Sequence, residues 1–150
     1  MKRPLNEVSN SDPPFTSISL QLLLNKLVSD LPGNMALNKI VVENEVSSDL
    51  KMVGDQREVV PVIDELLSTV VANARNTCIH ITAEKFSDIV TLNFEDRNNY
   101  NGYALAFSLM VVGQHARILG GDINIKGAQK RVATVSFSFP DTPGIRRCAH

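Results

Sequence analysis

Tryptophan is absent from the 150 residues, and cysteine occurs only twice, as Cys78 and Cys148. One of the two lies in an apolar stretch and the other in a polar terminal segment, so no disulfide framework is expected and the default compartment is the cytoplasm. Charge of one sign is lacking as well. Fifteen Lys and Arg stand against 16 Asp and Glu, a formal net charge of -1. That balance provides neither a basic field for nucleic acid nor a polybasic patch for a membrane surface. Long apolar runs are missing: residues 59–63, broken by Pro61, fall far short of the roughly 20 residues of a membrane-spanning helix. Lys2 and Arg3 are not followed by an apolar stretch, so no signal peptide is expected. Catalytic signatures are scarce too. His80, His115 and His150 form no metal-ligand spacing with one another or with the cysteines, and neither a G-x-S-x-G elbow nor a Walker-type glycine loop is present. Gly120-Gly121 reads as a helix cap.

What remains is an ordinary globular composition, 43% hydrophobic and 21% charged, in a chain long enough for one domain with one sizeable core. Residues 1–17 are polar, carry Pro4, Pro13 and Pro14, and are expected to be a flexible tail. Residues 18–140 are the expected domain. Residues 141–150, with Pro143 and no apolar pattern, are expected to be a second tail.

Within the domain, Leu20, Leu23, Leu24, Leu27, Val28 and Leu31 recur at helical spacing behind Ser17 or Ser19 as an N-cap, and Pro32-Gly33 ends that helix. Residues 39–46 are rich in β-branched side chains and predict a strand, and residues 50–53 predict a weaker one. Leu66, Leu67, Val70, Val71 and Ala74 mark a second helix. Pro61 suits its first position, which leaves residues 56–60 ambiguous, and its end is expected near Asn76. Period-two alternation follows in residues 78–83 and 89–95, a hairpin across polar residues 84–88. His80 alternates with Ile79 and Ile81 and so points away from them. A third helix is predicted over 103–119. A second alternating pair, Ile123/Ile125 and Val135/Phe137/Phe139, flanks residues 127–131. The order predicts an α+β two-layer sandwich: a mixed, mostly antiparallel sheet with about three helices on one face.

Asn73 sits at the edge of the apolar face of the second helix, where a carboxamide can cap, face solvent or hold a ligand. Residues 67–77, LSTVVANARNT, resemble the asparagine helix (N-L-L-x-N-A) of the histidine-kinase-type ATP-binding domain, a superfamily shared with gyrase-type ATPases. Residues 89–96, IVTLNFED, resemble the strand leading into its D-x-G turn, and VATVSFSFP resembles its terminal G-T-x-F-x-F-x-L-P strand. The likeness spans residues 17–140. It implies ATP or ADP with Mg²⁺ as ligand: Asn73 would ligate the metal, which takes oxygen donors, Asp96 would accept from the adenine amino group, and Thr134 would match the final motif. Ala106 and Ser108 stand where the glycines that cradle phosphate are expected. Taken singly, Asn73 also reads as a cap, Asp96 as a turn residue with Arg97 and Asn98, and Thr134 as a strand residue.

Departures from that pattern are many. Thr69 replaces an Asn or Glu, Asn76 a Lys and Asn98 the D-x-G glycine, while Asp96 and Ala106 are too close in sequence for a full lid. The resemblance therefore implies a degenerate domain in two-component-like signalling, with nucleotide binding weak or lost. A histidine-bearing protein or a response regulator is its expected partner. The alternative is a non-catalytic adaptor that docks a kinase or response regulator without nucleotide.

Overall fold

Alternating side chains in the middle of the chain build the two long central strands, and the computed structural model, which describes residues 17–142, arranges everything else around them. In chain order the elements are β1 (Ile18–Ser19), α1 (Leu20–Ser29), β2 (Ile40–Asn44), β3 (Lys51–Met52), α2 (Gln56–Ala72), β4 (Thr77–Phe86), β5 (Ile89–Asp96), α3 (Gly102–Ile118), β6 (Asp122–Lys126) and β7 (Ala133–Pro140), with a 3-10 turn at Gly33–Met35. Five strands form one sheet in the order β2-β4-β5-β7-β6, while β1 and β3 pair separately. Only the β2–β4 pair of the large sheet is parallel.

The register brings Ile81 opposite Phe94, Phe94 opposite Val135 and Leu92 opposite Phe137. One sheet face therefore carries a continuous row of fully buried apolar side chains. Leu20 and Leu24 of α1, Ile63, Leu66 and Leu67 of α2, and Leu105, Leu109 and Val112 of α3 pack onto it as one core. Truncating one such leucine to alanine costs about 2–5 kcal/mol, because the lost transfer energy adds to the cavity left behind. The two-layer α+β sandwich is thus as expected, with all three helices on one face.

Helix α2 begins earlier and ends earlier than its sequence predicts. Asp55 caps it, its carboxylate accepting from the Arg57 N–H at 3.0 Å. Pro61 sits inside the helix, where the missing N–H leaves a carbonyl unpaired. Burial of Val59, Val62 and Ile63 on the same stripe offsets that loss. The helix closes at Asn73 because Asn76 takes positive φ (52°) to enter β4. At the end of α3, the Gly121 and Gly120 N–H groups bond to the Ala116 and Arg117 carbonyls, with Gly120 at φ 83°, a Schellman cap.

Of the expected tails, residues 1–16 and 143–150, with Cys148 and His150, lie outside the described residues. Asp141, assigned to the second tail from sequence, is buried at 4% exposure. It accepts from the Val53 and Gly54 N–H groups and from Lys85 Nζ, each within 2.9 Å, and so clasps the β3–α2 turn to the end of the sheet.

Candidate functional site

Asn73 and Asp96 lie at the same end of the two layers, where α2 passes into β4. Asn73 is the C-cap of α2, and its Nδ2 donates to the Thr69 carbonyl at 2.9 Å. Asp96 ends β5 with its side chain on the helix side of the sheet, 3% exposed. Asp96 Oδ1 accepts from Thr77 Oγ1 at 2.6 Å and from the Asn98 N–H at 3.0 Å. Asn98 Nδ2 in turn donates to the Asn76 carbonyl at 2.9 Å. The end of α2, the start of β4 and the turn after β5 are thereby tied together. The structural readings of these residues are realised: Asn73 caps, and Asp96 organises a turn.

Each still keeps one oxygen spare. Asp96 Oδ2 and Asn73 Oδ1 receive no hydrogen bond from the described residues. A buried acceptor without a donor costs about 1–3 kcal/mol, more when charged, and is normally met by water or a ligand. The chemistry available is acceptance from an amino group at Asp96 and one neutral oxygen for a hard cation at Asn73. Over this corner the Arg75 guanidinium stacks on the Tyr100 ring at 4.7 Å, a strap from the end of α2 to the loop before α3.

The neighbouring end is closed by the chain itself. Only residues 97–101 separate β5 from α3. The Asn99 N–H donates to the Arg131 carbonyl at 2.8 Å, and Asn99 Nδ2 bonds the Ala128 and Lys130 carbonyls at 3.0 and 2.9 Å. Asn101 caps α3 by accepting from the Ala104 N–H at 3.1 Å. Gly102, the first helical residue, is buried so tightly on the β6–β7 turn that a Cβ there would lie 1.9 Å from the Ala128 carbonyl oxygen. The helical ladder starts with Leu105 N–H to Asn101 O at 3.1 Å. Ala106 and Ser108 consequently sit past the free first turn, and their N–H groups are spent inside the helix. The family motif placed them at a glycine-rich helix start, whereas the helix, expected from residue 103, begins at Gly102.

Thr134 does not join this corner. It alternates with the buried Ala133 and Val135, pairs with Glu95 and Lys126, and lines a cleft of about 350 Å³ on the opposite sheet face with Glu45, His80 and Arg97. The period of two, with Val135, Phe137 and Phe139 pointing inward, was the signal that could have placed it there. On the inner face Asp96 is paired instead with Ala133, whose methyl group offers no hydrogen bond. Thr77, which holds the Asp96 carboxylate together with the Asn98 N–H, was not singled out from sequence. Five surface clefts of about 90 to about 640 Å³ open elsewhere, and neither Asn73 nor Asp96 lines any of them.

No protein-family model and no curated protein sequence matches this chain. Solved structures do. The Acinetobacter baumannii histidine kinase AdeS aligns at TM-score 0.69 and 17% identity, over 85% of this chain and 67% of that one. The nucleotide-free catalytic domain of the histidine kinase ThkA aligns at TM-score 0.68 and 17% identity, over 86% and 97%. The fold is that of a histidine-kinase catalytic domain. Full-length ShkA, solved with AMPPNP, aligns at TM-score 0.66 and 15% identity over 86% of this chain and 32% of its own.

A histidine-kinase-type fold implies an adenine nucleotide with Mg²⁺, and the residues present fit that group unevenly. The buried, half-satisfied Asp96 suits an adenine amino group, and the spare Asn73 oxygen suits the cation. The phosphate end does not fit, because the backbone donors of Ala106 and Ser108 lie within the helix. Among the described residues no helix is long and apolar enough to cross a membrane.

Proposed function

We propose that this protein is a degenerate histidine-kinase-type ATP-binding domain acting in two-component-like signalling, with nucleotide binding weak or lost. Its partner is a protein that carries the phosphoacceptor histidine, or a response regulator. The observation that carries this reading is the early start of α3, which spends the N–H groups of Ala106 and Ser108 inside the helix and leaves no lid between Asp96 and the helix. Phosphoryl transfer depends on positioned phosphates far more than on covalent chemistry. A domain that holds only the base is a poor catalyst and a serviceable binding module.

Calorimetric titration with ADP and ATP, with and without Mg²⁺, tests the reading. Binding at millimolar concentration or none is expected. Saturable, Mg²⁺-dependent binding in the micromolar range, abolished by Asp96→Ala, would contradict it.

A second reading, the adaptor that docks a kinase or response regulator without any nucleotide, is favoured by the outer side of α3. Tyr103, Phe107, Met110 and Ile118 are 67%, 75%, 60% and 82% exposed. Their helical spacing makes a stripe that the described residues leave uncovered, and such stripes commonly mark interaction surfaces. Pull-down with purified kinases and response regulators, repeated with Phe107→Ser, tests it; capture that is lost in the variant and indifferent to nucleotide supports the adaptor, and no capture opposes it.

A further inference from the structure

The sheet face turned away from the helices is mostly polar but exposes Val41, Phe86 and Ile89, and at its β2–β4 edge four reactive side chains converge. Parallel pairing puts Val41 beside Cys78 and Glu43 beside His80. Period two then sends Glu43, Cys78 and His80 to the same side, opposite to Ile79 and Ile81. Among the described residues they are the one set of His, Cys and carboxylate groups gathered closely enough to share an ion: one ligand atom from each lies within 4.8 Å of the others.

The order within the cluster is that of a ligand set. His80 is 9% exposed and is held from both sides. Its Nδ1 lies 3.0 Å from Glu45 Oε2 and 3.4 Å from Glu43 Oε1, and its Nε2 lies 3.3 Å from Cys78 Sγ. When Nδ1–H is donated to Glu45, the ring presents the Nε2 lone pair toward the sulfur. A carboxylate behind the distal ring nitrogen is the arrangement that orients metal-bound histidines and raises their basicity.

We infer that Glu43, Cys78 and His80 form a binding site for a divalent transition cation of the Zn²⁺ class, with Glu45 as the positioning residue behind His80. Tetrahedral Zn²⁺ with bonds of about 2.3 Å to sulfur and about 2.0 Å to nitrogen sets those two ligands about 3.5 Å apart. The observed 3.3 Å between His80 Nε2 and Cys78 Sγ needs little adjustment. The Glu43 side chain is 51% exposed, so a rotamer change is enough to bring its oxygen onto the ion. Three protein ligands leave a fourth position for water.

Thiolate and imidazole donors favour Zn²⁺, Co²⁺ or Ni²⁺ over Mg²⁺ and Ca²⁺, so this site is chemically distinct from the oxygen of Asn73 on the other face. The surroundings carry the carboxylates of Glu43, Glu45 and Glu95 against Arg97, whose Nε is itself engaged by Glu95 Oε1 at 2.6 Å. Burial pushes the Cys78 thiol up, the Glu43 carboxylate adds to that, and Arg97 opposes it. The metal must therefore displace a thiol proton, as thiolate sites do.

Titration of the full chain with Co²⁺ under reducing conditions tests the assignment. A thiolate-to-cobalt charge-transfer band should rise to one equivalent and disappear on addition of Zn²⁺. Cys78→Ser should abolish the band while far-ultraviolet circular dichroism remains that of the parent. Cys148→Ser should leave it unchanged. Glu45→Gln should weaken Co²⁺ binding about 10–100-fold with the visible bands of a tetrahedral ion retained, and Glu45→Asp should recover part of the loss. No charge-transfer band at millimolar Co²⁺, or a band that survives Cys78→Ser and vanishes in Cys148→Ser, would overturn the proposal.

Discussion

The two ends of the candidate nucleotide site are built by the same elements and have fared differently. At the base end, Asp96 is buried, held by Thr77 and the Asn98 N–H, and retains an oxygen that no described residue meets. At the phosphate end the short loop is stitched by Asn99 to the β6–β7 turn, and α3 starts at Gly102 directly against Ala128. The base end also carries weight in the fold, since its carboxylate organises a turn whether or not a ligand is present. The phosphate end has no such second duty. A long glycine-rich loop is costly to order, and the short capped connection of residues 97–101 avoids that cost.

Perturbing the closed end should have the largest effect. Gly102→Ala forces a Cβ into the Ala128 carbonyl and should destabilise the protein by about 3 kcal/mol or more, read as a lowered midpoint in urea. A negligible change would mean that the loop is not pinned. Asp96→Ala takes the short acceptor from the Thr77 hydroxyl and leaves the Asn98 N–H with Thr77 Oγ1 alone, and should cost about 2 kcal/mol. If stability is unaffected, the carboxylate has no structural duty and the comparison fails. The double change Ala106→Gly with Ser108→Gly restores the residue types of a phosphate cradle but not its geometry. It should cost about 1–2 kcal/mol from helix propensity and gain no ATP affinity; a gain would show that glycine alone reopens the site. Smallest of all, Arg75→Ala removes the stack on Tyr100 and should cost less than about 1 kcal/mol, with faster amide exchange confined to residues 97–101.

Much of this was legible in the residues. Alternation located both hairpins, apolar periodicity located three helices, and the order of elements gave the sandwich. The Asn73 and Asp96 positions came from a motif and do fall at one end of the layers. The misplacements have physical causes. Pro61 looked like a helix start because its missing N–H is harmless there, yet the Asp55 cap and the apolar stripe carry α2 through it. Thr134 was taken from a motif although its own alternation with Val135 and Phe137 points it outward. The start of α3, expected at residue 103 and found at Gly102, follows from the local Asn101 cap, whereas the pinning of its leading loop by Asn99 to a distant turn is encoded in no local pattern. The Glu43, Cys78 and His80 cluster was invisible for a similar reason: its third member arrives from a parallel neighbour, and parallel pairing leaves no hairpin signal in the sequence.

The uneven site makes one quantitative demand, namely that phosphates and Mg²⁺ contribute little to whatever affinity the base provides. Titrating the protein with adenosine and with ATP plus Mg²⁺, side by side and followed by amide chemical shifts, measures that contribution directly. ATP with Mg²⁺ should bind no more than a few-fold tighter than adenosine, with shifts centred on Asp96 and Thr77, or neither should saturate at millimolar concentration. Binding of ATP with Mg²⁺ a hundred-fold or more tighter than adenosine, with shifts running into the first turns of α3, would contradict it.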